Sequence, residues 1–256
     1  MKPKHWMFVL FFVSLSSAAQ TVTLYDNFEG RFLNQALWYS ACSGFSVNEV
    51  CATEVRDEHL HLARGQTGNT GSNSGNNGGS AIVFFNAPSA IRSITADIVV
   101  RNVEIVPCAT NQGSAGQADI TARFFNAGNG TESDDVGAII SIGRSEFSPE
   151  GQLYVNGGYF HANDYSHVVF LANITEGTPV TATVTWDQAN HRFLYSVTNK
   201  ITHVSNSQML AYSFADTTPA ADPEKHLNVD IFPNNCATTQ TWVRADALFD
   251  NVYIGQ

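Results

Sequence analysis

Charge is scarce in this chain, and positive charge scarcer still. Only 14% of the 256 residues are charged, and 13 Lys and Arg against 23 Asp and Glu leave a formal charge of −10 at pH 7. A surface that neutralises nucleic-acid phosphates has to be basic, so this balance argues against a nucleic-acid partner. Helical patterning is missing as well, since nowhere does a dozen residues carry an apolar stripe at a period of 3.6. Beyond the extreme N-terminus no segment approaches the roughly 18 apolar residues of a membrane-spanning helix, so no span is expected in the mature chain. Neither GxxxxGK[ST] nor a GxGxxG opening a helix occurs, which removes the usual phosphate cradles. The four cysteines form no CxxC pair and the eight histidines form no HExxH, so zinc chemistry has no support.

The first nineteen residues read as a cleavable leader. Lys2 and Lys4 give a positive start, residues 6–15 are almost continuously apolar, and Ser17-Ala18-Ala19 supplies small residues for a signal peptidase. About ten apolar residues rising about 1.5 Å each cover only half of a hydrocarbon core of about 30 Å, too short for an anchor. Export implies an oxidising compartment, where Cys42, Cys51, Cys108 and Cys236 can pair and persist. Four cysteines allow three pairings. The most economical joins Cys42 to Cys51 across a short loop and leaves Cys108 for Cys236.

What the chain does have is a period of two. Ile120, Ala122 and Phe124 alternate with Asp119, Thr121 and Arg123; Val180, Ala182, Val184 and Trp186 alternate with Thr181, Thr183, Thr185 and Asp187. Such runs are strands with one face in a core and one in water. Further runs fall at residues 94–106, 137–143, 152–160, 167–172, 192–198, 227–232 and 246–254, separated by Gly, Asn, Asp and Pro. Many strands with no helices to cover a parallel sheet imply antiparallel pairing. With 43% hydrophobic residues the expectation is an all-β sandwich of two packed antiparallel sheets. Residues 65–79, GQTGNTGSNSGNNGG, hold no apolar side chain and read as a flexible loop inside one domain spanning residues 20–256. Asn156-Gly157-Gly158 reads as a turn or bulge.

Both ends of the mature chain resemble a known family. Leu24-Tyr25-Asp26-Asn27-Phe28-Glu29-Gly30 followed by Leu33 and Trp38, Asp57-Glu58-His59-Leu60-His61-Leu62, Val184-Thr185-Trp186-Asp187, and the closing Phe249-Asp250-Asn251-Val252-Tyr253-Ile254 are similar to the entry, early, hairpin and closing strands of secreted concanavalin A-like lectin/glucanase domains. The resemblance implies a jelly roll with its terminal strands side by side. One departure matters: the laminarinase-type glycosidases of that superfamily carry Glu-x-Asp-x-x-Glu on one strand, and no acidic group here has that spacing.

Three sets of candidate residues follow. A polysaccharide lyase on such a fold would use a constellation like Tyr159 as proton donor or acceptor, His161 as base and Arg144 against a uronate carboxylate. A glycan site would draw on Asp97, Arg101, Asp119 and Arg123, where each acid–base pair lies four apart on one strand face. If those two strands paired antiparallel, Asp97 would approach Arg123, and Arg101 would approach Asp119. Asn228 and Asp230 would extend the polar face, with Tyr154 and Trp242 as aromatics near loops. Asp26 and Asp250, near the adjoining termini, are candidate ligands for a structural calcium ion; no other cofactor is expected. The sequence thus leads to a secreted or periplasmic sandwich, read as a non-catalytic glycan-binding or extracellular interaction module. The competing class is a polysaccharide-active enzyme, lyase or hydrolase.

Overall fold

The computed structural model describes residues 21–44, 49–162 and 164–256. The expected leader, residues 1–19, lies outside them. In chain order the strands are β1 (Val22–Asp26), β2 (Trp38–Ser43), β3 (Val50–Arg56), β4 (His59–Thr67), β5 (Gly79–Phe85) and β6 (Ser93–Val106). There follow β7 (Ala115–Asn126), β8 (Asp135–Ser145), β9 (Gln152–His161), β10 (Asp164–Thr175) and β11 (Val180–Asp187). The chain closes with β12 (Arg192–Asn199), β13 (Ser205–Ala211), β14 (Thr218–Pro219), β15 (Lys225–Phe232) and β16 (Trp242–Gly255).

These strands form two sheets. The first runs β13-β12-β11-β6-β16-β4-β3 with β1 against the end of β16; the second runs β10-β9-β8-β7-β15-β5-β2 with β14 beside β7. Every pairing is antiparallel, and Val22 lies opposite Gly255, so the terminal strands are neighbours as the family resemblance implied. The expected two-sheet sandwich is therefore the observed one.

Alternation decides which side chains fill the space between the sheets. On β7 Ala118, Ile120 and Ala122 point inward and are fully buried, as are Val180, Ala182 and Val184 on β11 of the facing sheet. Trp38 is buried against Tyr25, Phe28 and Phe85, and its indole N–H donates to Asp26 Oδ2 at 2.7 Å. The disulfides tie the layers and their loops: Cys42–Cys51 joins β2 of the second sheet to β3 of the first, and Cys108–Cys236 joins the segments after β6 and before β16.

Three local expectations change. Residues 65–67 belong to β4, where Gln66 is fully buried, and residue 79 opens β5. The remaining glycine-rich stretch is held by hydrogen bonds, among them Asn69 N–H to Asn235 Oδ1 at 2.8 Å and Asn77 N–H to the Pro233 carbonyl at 2.8 Å. Asn156-Gly157-Gly158 is no turn; it lies inside β9, paired with β8 and β10. Gly157 is required there because a Cβ would sit 2.4 Å from the Tyr195 ring of the facing sheet. Finally, the strands carrying Asp97 with Arg101 and Asp119 with Arg123 are β6 and β7, which belong to different sheets, so the expected lattice of ion pairs between them does not form. Identical alternation in two strands says nothing about whether they are neighbours.

Candidate functional site

The inward-facing set on β7 and β15 leaves Gln117, Asp119, Thr121 and Arg123 on the outer face of the second sheet, beside His226, Asn228, Asp230 and Phe232. The register places Asn228 directly opposite Asp119 and Asp230 opposite Gln117. Asp119 Oδ2 accepts from Gln117 Nε2 at 3.0 Å and from Asn228 Nδ2 at 3.3 Å. Although it faces away from the core, Asp119 is fully buried and Asn228 is only 2% exposed. Asn228 Oδ1 is buried with no hydrogen-bond partner among the described residues, while the buried Asp119 and Asp230 carboxyls lie within hydrogen-bonding reach of each other, with Ser141 beside Asp119. Burial, and after it the negative charge of Asp230, pushes the Asp119 carboxyl well above the usual carboxylate range.

Above this floor runs a cleft. One part, with a volume of about 480 Å³, is lined by Gln117, Thr121, Arg123, Phe160, Asp230 and Phe232 among others. A second part of about 400 Å³ continues from Gln117 toward Ser141, Arg144, Phe147, Tyr154 and Asn156. Gly143 makes room for it: a Cβ there would lie 2.4 Å from Gln117 Cβ and 2.4 Å from the Gly116 carbonyl oxygen. On the β5 side the outer face carries aromatic rings, Tyr39 stacked on Phe84 at 4.6 Å and Phe84 edge-on to His226 at 5.3 Å.

Of the eight sequence-derived binding residues, five share this face: Asp119, Arg123, Tyr154, Asn228 and Asp230. Arg123 is already neutralised by Glu132 at 2.8 Å and Asp222 at 2.7 Å. The other three, Asp97, Arg101 and Trp242, are on the first sheet. Asp97 accepts from Thr181, Lys200 and Asn251. Arg101 lies 3.9 Å from Asp246, which also meets His61 at 3.3 Å and Arg244 at 3.5 Å. Trp242 packs its ring over Gly65 and donates to Glu104 at 3.2 Å.

The lyase constellation does not assemble. Tyr159 points to the opposite side of β9 from Tyr154; it is 6% exposed, stacked on His167 at 4.3 Å and close to Phe193. Burial raises its phenol. His161 packs against Phe214 at 4.6 Å. In the β8–β9 register Ala138 faces Tyr159 and Val136 faces His161, whereas Arg144 lies next to the Gly143–Tyr154 pair. At about 3.3 Å per residue that separates Arg144 from Tyr159 by about 20 Å along the strands. The calcium candidates sit in local hydrogen bonds. Asp26 accepts from Phe28 N–H and Trp38 Nε1, and Asp250 accepts from Asn251 through both oxygens. Among the described residues no three His, Cys, Asp or Glu gather where they would hold a metal.

Sequence reading missed Gln117, Ser141, Phe160, Phe232 and the Tyr39–Phe84 stack. Their outward parity was readable, but their convergence depends on strands distant in sequence.

No family model matches the chain and no curated protein matches it. Among solved structures it is similar to lectin II from Ulex europaeus, with 13% identity, 90% of this chain and 97% of the other covered, and a TM-score of 0.43. It is similar also to peanut lectin bound to a 9-residue peptide, with 14% identity, 92% and 99% coverage and a TM-score of 0.42. Scytalido-glutamic peptidase with a peptide-based transition-state analogue matches at 12% identity, 63% and 73% coverage and a TM-score of 0.42. These likenesses are of outline alone, and the functional reading rests on the cleft.

Proposed function

We propose that the cleft on the outer face of the second sheet binds carbohydrate. The observation that carries this reading is a buried polar floor, the unpartnered Asn228 Oδ1 beside the Asp119 and Asp230 carboxyls, beneath a cleft bordered by Phe160, Phe232 and Tyr154. A buried acceptor without a donor costs about 1–3 kcal/mol, and closely spaced sugar hydroxyls are donors of the right density to relieve it. Aromatic faces at the rim would pack on the C–H faces of pyranose rings. The two disulfides fit an extracellular or periplasmic site of action.

A glycan array probed with the protein, followed by titration of the strongest ligand, tests the reading. Asp230→Asn and Gln117→Ala should each weaken binding at least tenfold, while Trp242→Ala on the opposite sheet leaves it unchanged. Binding that responds to Trp242→Ala and ignores the cleft variants would overturn the assignment.

Hydrolysis in the same cleft is the second reading, favoured by two adjacent carboxyls of which Asp119 holds its proton unusually tightly. Release of reducing ends from a polysaccharide, abolished by Asp230→Asn, would establish it; binding without turnover supports the module.

A further inference from the structure

Charges around the cleft do not balance. The Arg123 guanidinium, which lines it, already meets two carboxylates, Glu132 at 2.8 Å and Asp222 at 2.7 Å, and His226 lies 2.8 Å from Glu224. Among the described residues no cationic side chain forms an ion pair with Asp119 or Asp230. The groups facing that pair are Gln117 and Thr121 on β7, Ser141 on β8, Asn228 and His226 on β15 and Ser80 on β5, all but His226 uncharged at any pH. Two carboxyls within hydrogen-bonding reach at a buried floor cannot both ionise unaided, so the pair retains a proton. A sugar hydroxyl can donate to such oxygens, but only a cation removes the repulsion between them.

Asn228 supplies a third acceptor independently of the acids. Its Nδ2 donates to Asp119 Oδ2 at 3.3 Å, while its Oδ1 has no partner although the residue is only 2% exposed. Three acceptor groups on two adjacent strands match an ammonium group, which has three donors and no acceptor. Calcium takes about six to eight oxygens, and here Asp119 Oδ2 is already occupied by the Gln117 and Asn228 amides. Access comes through Asp230, which lines the 480 Å³ part of the cleft with Phe160 and Phe232. Those rings offer apolar faces to the ring that carries the amine. The net charge of −10 adds a long-range attraction for a cationic ligand.

Resting on the carbohydrate reading, we propose that Asp119, Asp230 and Asn228 form an ammonium subsite, and that the glycan it takes is built from amino sugars with free amines. The ligand class is thereby narrowed from glycans in general to cationic glycans.

Calorimetric titration of the full chain in mildly acidic buffer tests this with three tetrasaccharides: β-1,4-linked glucosamine, its fully N-acetylated form and cellotetraose. The glucosamine tetramer should bind at least tenfold tighter than the other two at low salt, and the difference should shrink as salt is added. Asp230→Asn should bring the ratio to about one, whereas Gln117→Ala, which removes no charge, should weaken all three ligands alike and leave the ratio standing. Near-ultraviolet circular dichroism checks that each variant is folded. If Asp230→Asn is not, competition on the wild-type protein decides: methylammonium chloride should displace the glucosamine tetramer and not cellotetraose at matched ionic strength, and equal displacement overturns the subsite. Equal binding of the three sugars, or a preference that survives Asp230→Asn, overturns the subsite and leaves the carbohydrate reading intact. Tetralysine binding as tightly as the glucosamine tetramer would give the floor to basic peptides, and calcium binding lost in Asp230→Asn without any amine preference would give it to a metal ion; either overturns the proposal. If neither these sugars nor a glycan array gives binding, the carbohydrate reading falls. Titration with methylammonium chloride then decides the subsite: Asp230-dependent binding upholds it, and none overturns it.

Discussion

Asp119 and His61 sit on opposite outer faces of the sandwich, and both hold protons more tightly folded than unfolded. For Asp119 the causes are burial and the charge of Asp230; for His61 the largest is its hydrogen bond to Asp246, opposed by burial and helped by Glu54. A raised folded pKa contributes stability that is complete below the unfolded value and is lost as pH rises through the folded one. The unfolded values are about 3.9 for Asp and about 6.5 for His, so the two losses begin in different ranges. Melting temperature should therefore fall from pH 5 to pH 7, above which Lys225, whose pKa burial lowers to about 7, works in the opposite direction. Asp230→Asn, which removes the neighbouring charge, should flatten the acid side of that fall, and His61→Gln should flatten the part above about pH 6.5. A wild-type melting curve that rises across this range would contradict both. The outward parity of Asp119 and His61 was legible from alternation. Their partners were not, because Asp230 and Asp246 come from strands more than a hundred residues away along the chain.

Strand β9 shows how one element serves two surfaces. Its odd positions, Leu153, Val155, Gly157 and Tyr159, build the core, and its even positions Tyr154 and Asn156 line the cleft. Gly157 keeps this alternation continuous by yielding space to Tyr195, which is 1% exposed. Gly157→Ala should destabilise the protein by about 1–3 kcal/mol, as overpacking does elsewhere, seen as a lower urea midpoint with an unchanged slope. An unaltered midpoint would mean that the two sheets separate freely at this point. Gly143→Ala acts on the other face: its methyl group would push against Gln117 and the Gly116 carbonyl, and glycan binding should weaken more than stability does. An Asn-Gly-Gly triplet reads locally as a turn because glycine permits one; its use here as clearance depends on a ring from the opposite sheet.

Across the whole molecule the two disulfides differ in what they constrain. Cys42–Cys51 closes a separation of 9 residues and Cys108–Cys236 one of 128. On the chain-entropy account the short bridge contributes about 2.5 kcal/mol and the long one about 4–5 kcal/mol. The double substitution Cys108→Ser with Cys236→Ser should accordingly lower unfolding free energy more than Cys42→Ser with Cys51→Ser, measured by urea denaturation. The reverse order would place residual structure around residues 108–236 in the unfolded chain.

Alternation along each segment determined that the chain would fold as two antiparallel layers, which residues would fill the space between them, and that the polar groups of residues 117–123 and 226–232 would face outward. This much is local, since a strand assigns faces through its own pleat. Neighbours are another matter. Asp119 meets Asn228 and not Arg101, and Tyr159 stands far from Arg144, because strand order and register are set by contacts between distant segments that a period of two cannot encode. The cleft exists only where β7, β8, β9 and β15 lie side by side, which brings Asp119, Asn228, Asp230 and the aromatic rings onto one surface.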